Sequence, residues 1–277
     1  MIHTPGLVAV EDHNATSTTF VVEPLQSGYG MTLGNSLRRV LLSSISGAAV
    51  TSYKIEGATH EFTAIDGIKE DVVTIMLNLK LVRFRVYGDT AQTLRIVKKG
   101  KGVVTAKDIQ VNADVEVVNP DQVLATIDDD KASLTIDLVV ETGRGYRTIE
   151  ESTAKKQSDF IALDAIFSPV VRVRYKVEKT RVGQVSDLDK LSLTVDTDGS
   201  ISSRDAFEEA AAILVNQYAA LAGTTRVVTT EAAAVAPTVG EGSGDEGSVL
   251  NTSIEDLNLT ARTTNALINN DIHTIQD

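Results

Sequence analysis

The sequence contains no cysteine and no tryptophan, few aromatics and no long apolar run, and each absence removes a class of explanation. Without cysteine there is no disulfide and no thiolate metal site, which fits a reducing compartment. With aromatics at 4%, a core drawn from the 42% hydrophobic residues must be mostly aliphatic. No stretch reaches the roughly 20 apolar residues that a membrane helix needs. The opening residues, MIHTPGLVAV, have neither a basic start nor a sustained apolar run, so they do not read as a secretory leader. A soluble, cytoplasmic protein is expected, with no membrane association. Positive charge is also short: 26 Lys+Arg against 38 Asp+Glu leave a net charge of −12. Broad nucleic-acid binding depends on neutralising phosphates, so any DNA contact must be local. The acidity is uneven, with two arginines and eight acidic residues from 224 onward. The length of 277 residues fits two domains, or one and a half with tails.

What is present is organised around Phe20 to Thr51, FVVEPLQSGYGMTLGNSLRRVLLSSISGAAVT. A short β-prone run (Phe20, Val21, Val22) enters a turn at Gly28-Tyr29-Gly30, and a helix pattern follows from about Leu33 to Ile45. Leu33, Leu37, Val40, Leu41 and Ser44 share one helical face, the expected core stripe. Leu42 falls opposite, flanked by Arg38 and Arg39. That composition fits a docking face, where arginine and large apolar groups are favoured; it also fits a solvated face with one stray leucine.

Further along, Ser46-Gly47 marks a break, and Thr51, Tyr53 and Ile55 alternate as in a half-buried strand. Ile68, Val72, Ile75, Met76 and Leu79 predict an amphipathic helix with Glu70 and Asp71 near its start, where the helix dipole favours them. Alternating strands are read at Val82–Val86, Thr93–Lys98, Leu134–Val140, Val171–Val177 and Leu191–Val195. Residues 47–172 therefore read as a mostly β module. Arg204–Leu221 is the second strong helix, with Ser202 and Asp205 as a capping box and Gly223 as a stop. Its Phe207, Ala210, Ala211, Leu214, Tyr218 and Leu221 lie close to a heptad seam, and Ile213, Ala212 and Ala220 widen the apolar surface. Homodimerisation is the economical reading; burial inside a larger domain is the alternative. Residues 224–250 are small, polar and acidic, as in a flexible linker. Beyond them Thr260 caps a short helix containing Ala261, Ala266, Leu267 and Ile268.

Residues for catalysis are hard to assemble. The histidines (His3, His13, His60, His273) are scattered, without a second ligand at metal spacing. Asp128-Asp129-Asp130 reads as a solvated loop, since neighbours in an extended segment point apart. Gly28, Gly30 and Gly34 spell GxGxxxG, which is neither the dinucleotide fingerprint nor the Walker loop, and they read as permitting a tight strand-to-helix turn. Gly143-Arg144-Gly145-Tyr146-Arg147 reads either as a contact loop or as an exposed loop without a role. Arg262 and Asn265 share one face of the last helix, in a position to reach a narrow A·T minor groove or simply to line a polar face.

Five segments carry a family resemblance. They are EPLQSGYGMTLGNSLRRVLLSSISGAAVT, HEFTAIDGIKEDVVTIMLNLK (60–80), GRGYR (143–147), DAIFSPVVRVRYKVEKTRVGQVSDLDKL (164–191) and SIEDLNLTARTTNALINNDIHTIQD. In that order they resemble the α subunit of bacterial-type DNA-dependent RNA polymerase, from near residue 20 to the end. The resemblance implies an α+β fold. A dimerisation domain in two pieces (1–46 and 173–223) would be interrupted by a mostly β insert domain (47–172). A flexible linker (224–250) and a partial small helical module (251–277) would follow. It implies a non-catalytic subunit of a nucleotidyltransferase, without cofactor or metal, whose homodimer is the scaffold on which the β and β′ subunits assemble. Leu33, Leu37, Leu41, Phe207, Leu214 and Tyr218 would lie in the dimer interface. Arg39 and Leu42, with Arg38 beside them, would meet the β subunit. Sigma factor, activators and upstream promoter DNA would be met through the C-terminal module, with Arg262 and Asn265 on the DNA. The family's module runs on beyond the residues matched here, so a protein ending at Asp277 is expected to bind DNA negligibly. The competing reading is a stand-alone dimeric DNA-binding regulator, which calls for a complete basic reading head.

Overall fold

Alternating apolar residues build most of this protein, and they do so around two separate cores. The computed structural model describes residues 2–3, 5–58, 60–88, 90–153, 159–222 and 229–230. In order, these form β1 (Ile2–His3), β2 (Gly6–Asn14), β3 (Ser17–Leu25), α1 (Tyr29–Ser43) and β4 (Ser46–Ile55). Then come α2 (Val72–Lys80), β5 (Phe84–Val86), β6 (Gln92–Lys99), β7 (Gly102–Thr105), β8 (Ile109–Gln110), β9 (Val115–Val117) and β10 (Val123–Ile127). The rest is β11 (Ser133–Arg144), β12 (Tyr146–Arg147), α3 (Ile149–Thr153), β13 (Ile161–Ala162), β14 (Ala165–Ile166), β15 (Val170–Val182), β16 (Val185–Thr197), α4 (Ser203–Ala222) and β17 (Thr229–Thr230). The fold is α+β with a β-rich middle.

One core lies on a seven-stranded sheet, ordered β8-β6-β11-β4-β5-β9 with β13 paired to β4. Its buried residues run from Val50 to Leu163 and include Leu134, Ile136, Leu138 and Val140, the alternate residues of β11. The helix α2 closes it through Val72, Ile75 and Leu79. This helix starts later than Ile68. Asp71 caps it by accepting the Thr74 N–H at 2.9 Å, while Ile68 bridges to Ile127 and the Glu70 carboxylate accepts from Thr126. The local apolar spacing continues through the cap, which is why periodicity alone overran it.

The other core lies on a four-stranded antiparallel sheet, β15-β16-β3-β2. Phe20, Leu193, Val195 and Val173 face Leu37 and Leu41 of α1, Ala206 and Ala210 of α4, and Ile45 just after α1. Phe207 stacks on Phe20 with ring centroids 4.3 Å apart. Val171 departs from the expected alternation: a register shift between Val170 and Arg172 turns it outward. The predicted break at Ser46-Gly47 is instead the start of β4, which pairs with β11 out to Arg144.

Candidate protein-docking surfaces

The helix α1 begins at Tyr29, a turn earlier than its apolar stripe, because Gly28 takes a left-handed φ of 87° at the N-cap. Gly28 has no side chain to satisfy the first N–H groups. Asp189, on β16, does this instead: one carboxylate oxygen accepts the N–H of Gly28 at 2.7 Å and of Gly30 at 3.1 Å. Lys179 holds the other oxygen at 3.1 Å and also donates to Ser27. Asp189 is buried. Burial pushes its pKa up, but the hydrogen bonds from Lys179, Gly30 and Gly28 outweigh that and hold it below the usual carboxylate value.

The other two glycines of the GxGxxxG run are not turn residues. A Cβ on Gly30 would come within 2.7 Å of Val177, and one on Gly34 within 2.7 Å of Tyr175. Their bare backbones let α1 lie directly on β15 and β16. This close seat orients the rest of the helix. Leu37 and Leu41, expected between copies, turn inward and fill the protein's own core, Leu41 with no exposed surface. Leu33 is half-buried, and Arg38, Arg39 and Leu42 are exposed. Neither guanidinium has a hydrogen-bond or ion-pair partner among the described residues.

Next to Leu42 the surface continues onto the β-rich side. Ser168 donates to the carbonyl of Leu42 at 3.2 Å, and Gly145 packs beside the carbonyl of Ser43. The turn at Gly145, φ 66°, places Tyr146 opposite Ile166, and both are exposed. Arg147 of the same GRGYR segment is instead half-buried, paired with Glu141 and lying over the Phe167 ring. Exposed leucine, tyrosine and isoleucine beside unpaired arginines have the composition of a protein-docking surface. The sequence signal for Tyr146 was its glycine-flanked loop; Ile166 gave none.

A second surface lies on α4. Its first half is anchored by Ser203, Ala206 and Ala210, which are buried. Ser202 accepts the N–H of Asp205 at 3.0 Å, the expected cap. From Val215 to Ala222 every residue is exposed, and Val215, Tyr218 and Leu221 are 64%, 52% and 83% exposed. Phe207 and Leu214 are half-buried. Two turns of apolar helix without a covering layer make a surface that a partner would bury.

Among the described residues, the histidines singled out by the sequence stand apart from one another. His13 bonds to the Thr19 hydroxyl and His60 to that of Thr63. Among the described residues no group of three or more His, Asp or Glu could hold a metal, and no helix is long and apolar enough to cross a membrane. Arg262, Asn265 and the Thr260 helix lie outside the described residues.

Two family models match the sequence: the RNA polymerase Rpb3/RpoA insert domain over residues 53–168, and the C-terminal domain of the bacterial RNA polymerase alpha subunit over 241–277. The DNA-directed RNA polymerase subunit alpha of Oceanobacillus iheyensis is 45% identical over 100% of this protein and 87% of its own length. Those of Moorella thermoacetica and Roseiflexus are each 45% identical, over 93% and 91% of this protein and 81% and 77% of their own lengths. With such identity along essentially the whole sequence, this protein belongs to the family of α subunits of DNA-directed RNA polymerase, a nucleotidyltransferase complex.

Proposed function

We propose that the protein is a non-catalytic scaffold of the polymerase, a homodimer on which the two large subunits assemble. The observation that carries this reading is the pair of uncovered protein surfaces on one body: the apolar second half of α4, and Leu42 with its unpaired arginines on α1. The first suits a second copy, in which Leu33, Phe207, Leu214 and Tyr218 meet their counterparts. The second suits the β subunit, with Arg39 and Leu42 as anchors and Arg38 alongside. Upstream promoter DNA is assigned to Arg262 and Asn265, within the stretch that matches the C-terminal domain model. The dimerisation region is drawn as 1–46 plus 173–223, around an inserted 47–172. Support for that division comes from the two cores: the second draws its buried residues from Phe20–Ile45 and Val170–Ala210, which sets the return at Val170, three residues before 173.

Arg39→Ala tests the assignment of the β surface. Arg39 supports neither core, so fold and dimer mass should stay as they are. Capture of the β subunit should weaken by about 2 kcal/mol, the size of a typical anchor residue. Normal capture by this variant removes the assignment.

A further inference from the structure

Two bodies joined at one crossing rotate about it unless a contact elsewhere stops them. In this protein both covalent connections between the cores pass through one place. The outgoing strand crosses at Ser46-Gly47 and the returning one at Phe167–Pro169, so close together that a Cβ on Gly47 would collide with the Phe167 carbonyl oxygen. The Ser168 bond to Leu42 belongs to the same crossing. A cleft of about 360 Å³ opens beside it, between Ser46–Ala48 and Phe84–Gly88 on one side and Ser200-Ile201 on the other.

The far side of that cleft is closed by arginine. Arg85, on β5, donates from Nε to the Ser200 carbonyl at 2.8 Å and from Nη2 to the Gly199 carbonyl at 3.1 Å. Its remaining nitrogen, Nη1, is held by Glu116 at 3.0 Å, which sets the plane of the guanidinium. Arg83 stands 3.6 Å from Asp198 in the same turn. The turn itself is tied by hydrogen bonds. Asp198 donates its N–H to Pro169 at 2.9 Å and accepts from both the N–H and the hydroxyl of Ser200. Three residues after Ser200, α4 begins.

We propose that Arg85, assisted by Arg83, is a positioning residue for large-subunit docking, locking the β-rich core at a set angle to the core that carries α1 and α4. The inference rests on the docking reading above. The docking surface straddles the crossing, with Leu42 on one side and Tyr146 and Ile166 on the other, so rotation would split it. A fork of N–H donors is needed to hold two carbonyls while a third nitrogen stays on Glu116; a lysine ammonium cannot do this. A partner that binds only the locked angle loses affinity in proportion to the unlocked fraction.

The absence of cysteine makes the angle measurable. Glu11→Cys and Lys107→Cys, both exposed and one on each core, take spin labels, and labelled protein is diluted with unlabelled protein so that a dimer carries one labelled copy. The Arg85-intact protein should give one narrow distance distribution. Arg85→Ala and Arg85→Lys should both broaden it, keep the dimer mass, and weaken β-subunit capture about tenfold, as expected if the locked fraction falls to roughly a tenth. Added β subunit should narrow the distribution again. Arg85→Lys keeps the charge and stem, and covers the case in which Arg85→Ala does not fold. An unchanged distribution in the Arg85 variants overturns the lock, and so does weakened capture without broadening. Normal capture by Arg39→Ala removes the docking reading instead, and the distance distribution then decides the lock by itself.

Discussion

Removing the Asp189 side chain should loosen α1 at its first turn, and the cost can be worked out from its contacts. Asp189 accepts two backbone N–H groups of a helix that has no cap of its own. The Gly28 N–H can turn to water, because Gly28 is exposed, but Gly30 is buried. Asp189→Ala therefore strands one buried donor, at about 1–3 kcal/mol, and removes a negative charge from a helix N-terminus, at about 1 kcal/mol. Lys179 is more than half exposed and adds little, since water screens it. The sum is about 3 kcal/mol; Asp189→Asn, which keeps one acceptor oxygen, should lose about half of that. Urea unfolding at fixed protein concentration, with the m-value unchanged, measures the difference. The pH dependence has a definite sign. The carboxyl is held below its unfolded value of about 3.9, so its contribution is complete above that pH and disappears as pH falls through the lower, folded value. The gap between the protein and Asp189→Asn should be level from pH 8 to about 5 and close in acid. Equal stability at pH 7, or a gap that persists unchanged into strong acid, would refute the capping role.

Leu41→Ala should destabilise the fold by about 2–5 kcal/mol in the same unfolding assay, since Leu41 is fully buried; a loss under about 1 kcal/mol would mean that α1 is not seated as described. Leu214→Asp puts a carboxylate into the apolar surface of α4, and sedimentation should show monomers with an unchanged circular dichroism spectrum. An intact, folded dimer removes α4 from the interface. Labelled A·T-rich upstream DNA should bind negligibly in a titration at moderate salt, and micromolar binding that Arg262→Ala abolishes would overturn that expectation.

Local pattern alone determined a good deal. The alternation of Leu134, Ile136, Leu138 and Val140, the helical spacing of Leu37 and Leu41, and the apolar excess of α4 were all legible, because burial repeats with the period of the element. The exposure of Leu42 between arginines was legible for the same reason. Other features depend on partners that no local period encodes. The spacing of Leu37 and Leu41 marked a core stripe, but not that Phe20, Leu193 and Ala206 would be what covers it. The cap of α1 comes from Asp189, 161 residues from Gly28, and the fork of Arg85 closes on Ser200, 115 residues away. Hydrogen bonds over such separations leave no periodic trace, and a buried polar group takes its partner from whatever packing brings within about 3 Å. Which faces are apolar was written in the order of residues; which face of α1 the protein covers was decided by how closely Gly30 and Gly34 allow that helix to approach the sheet.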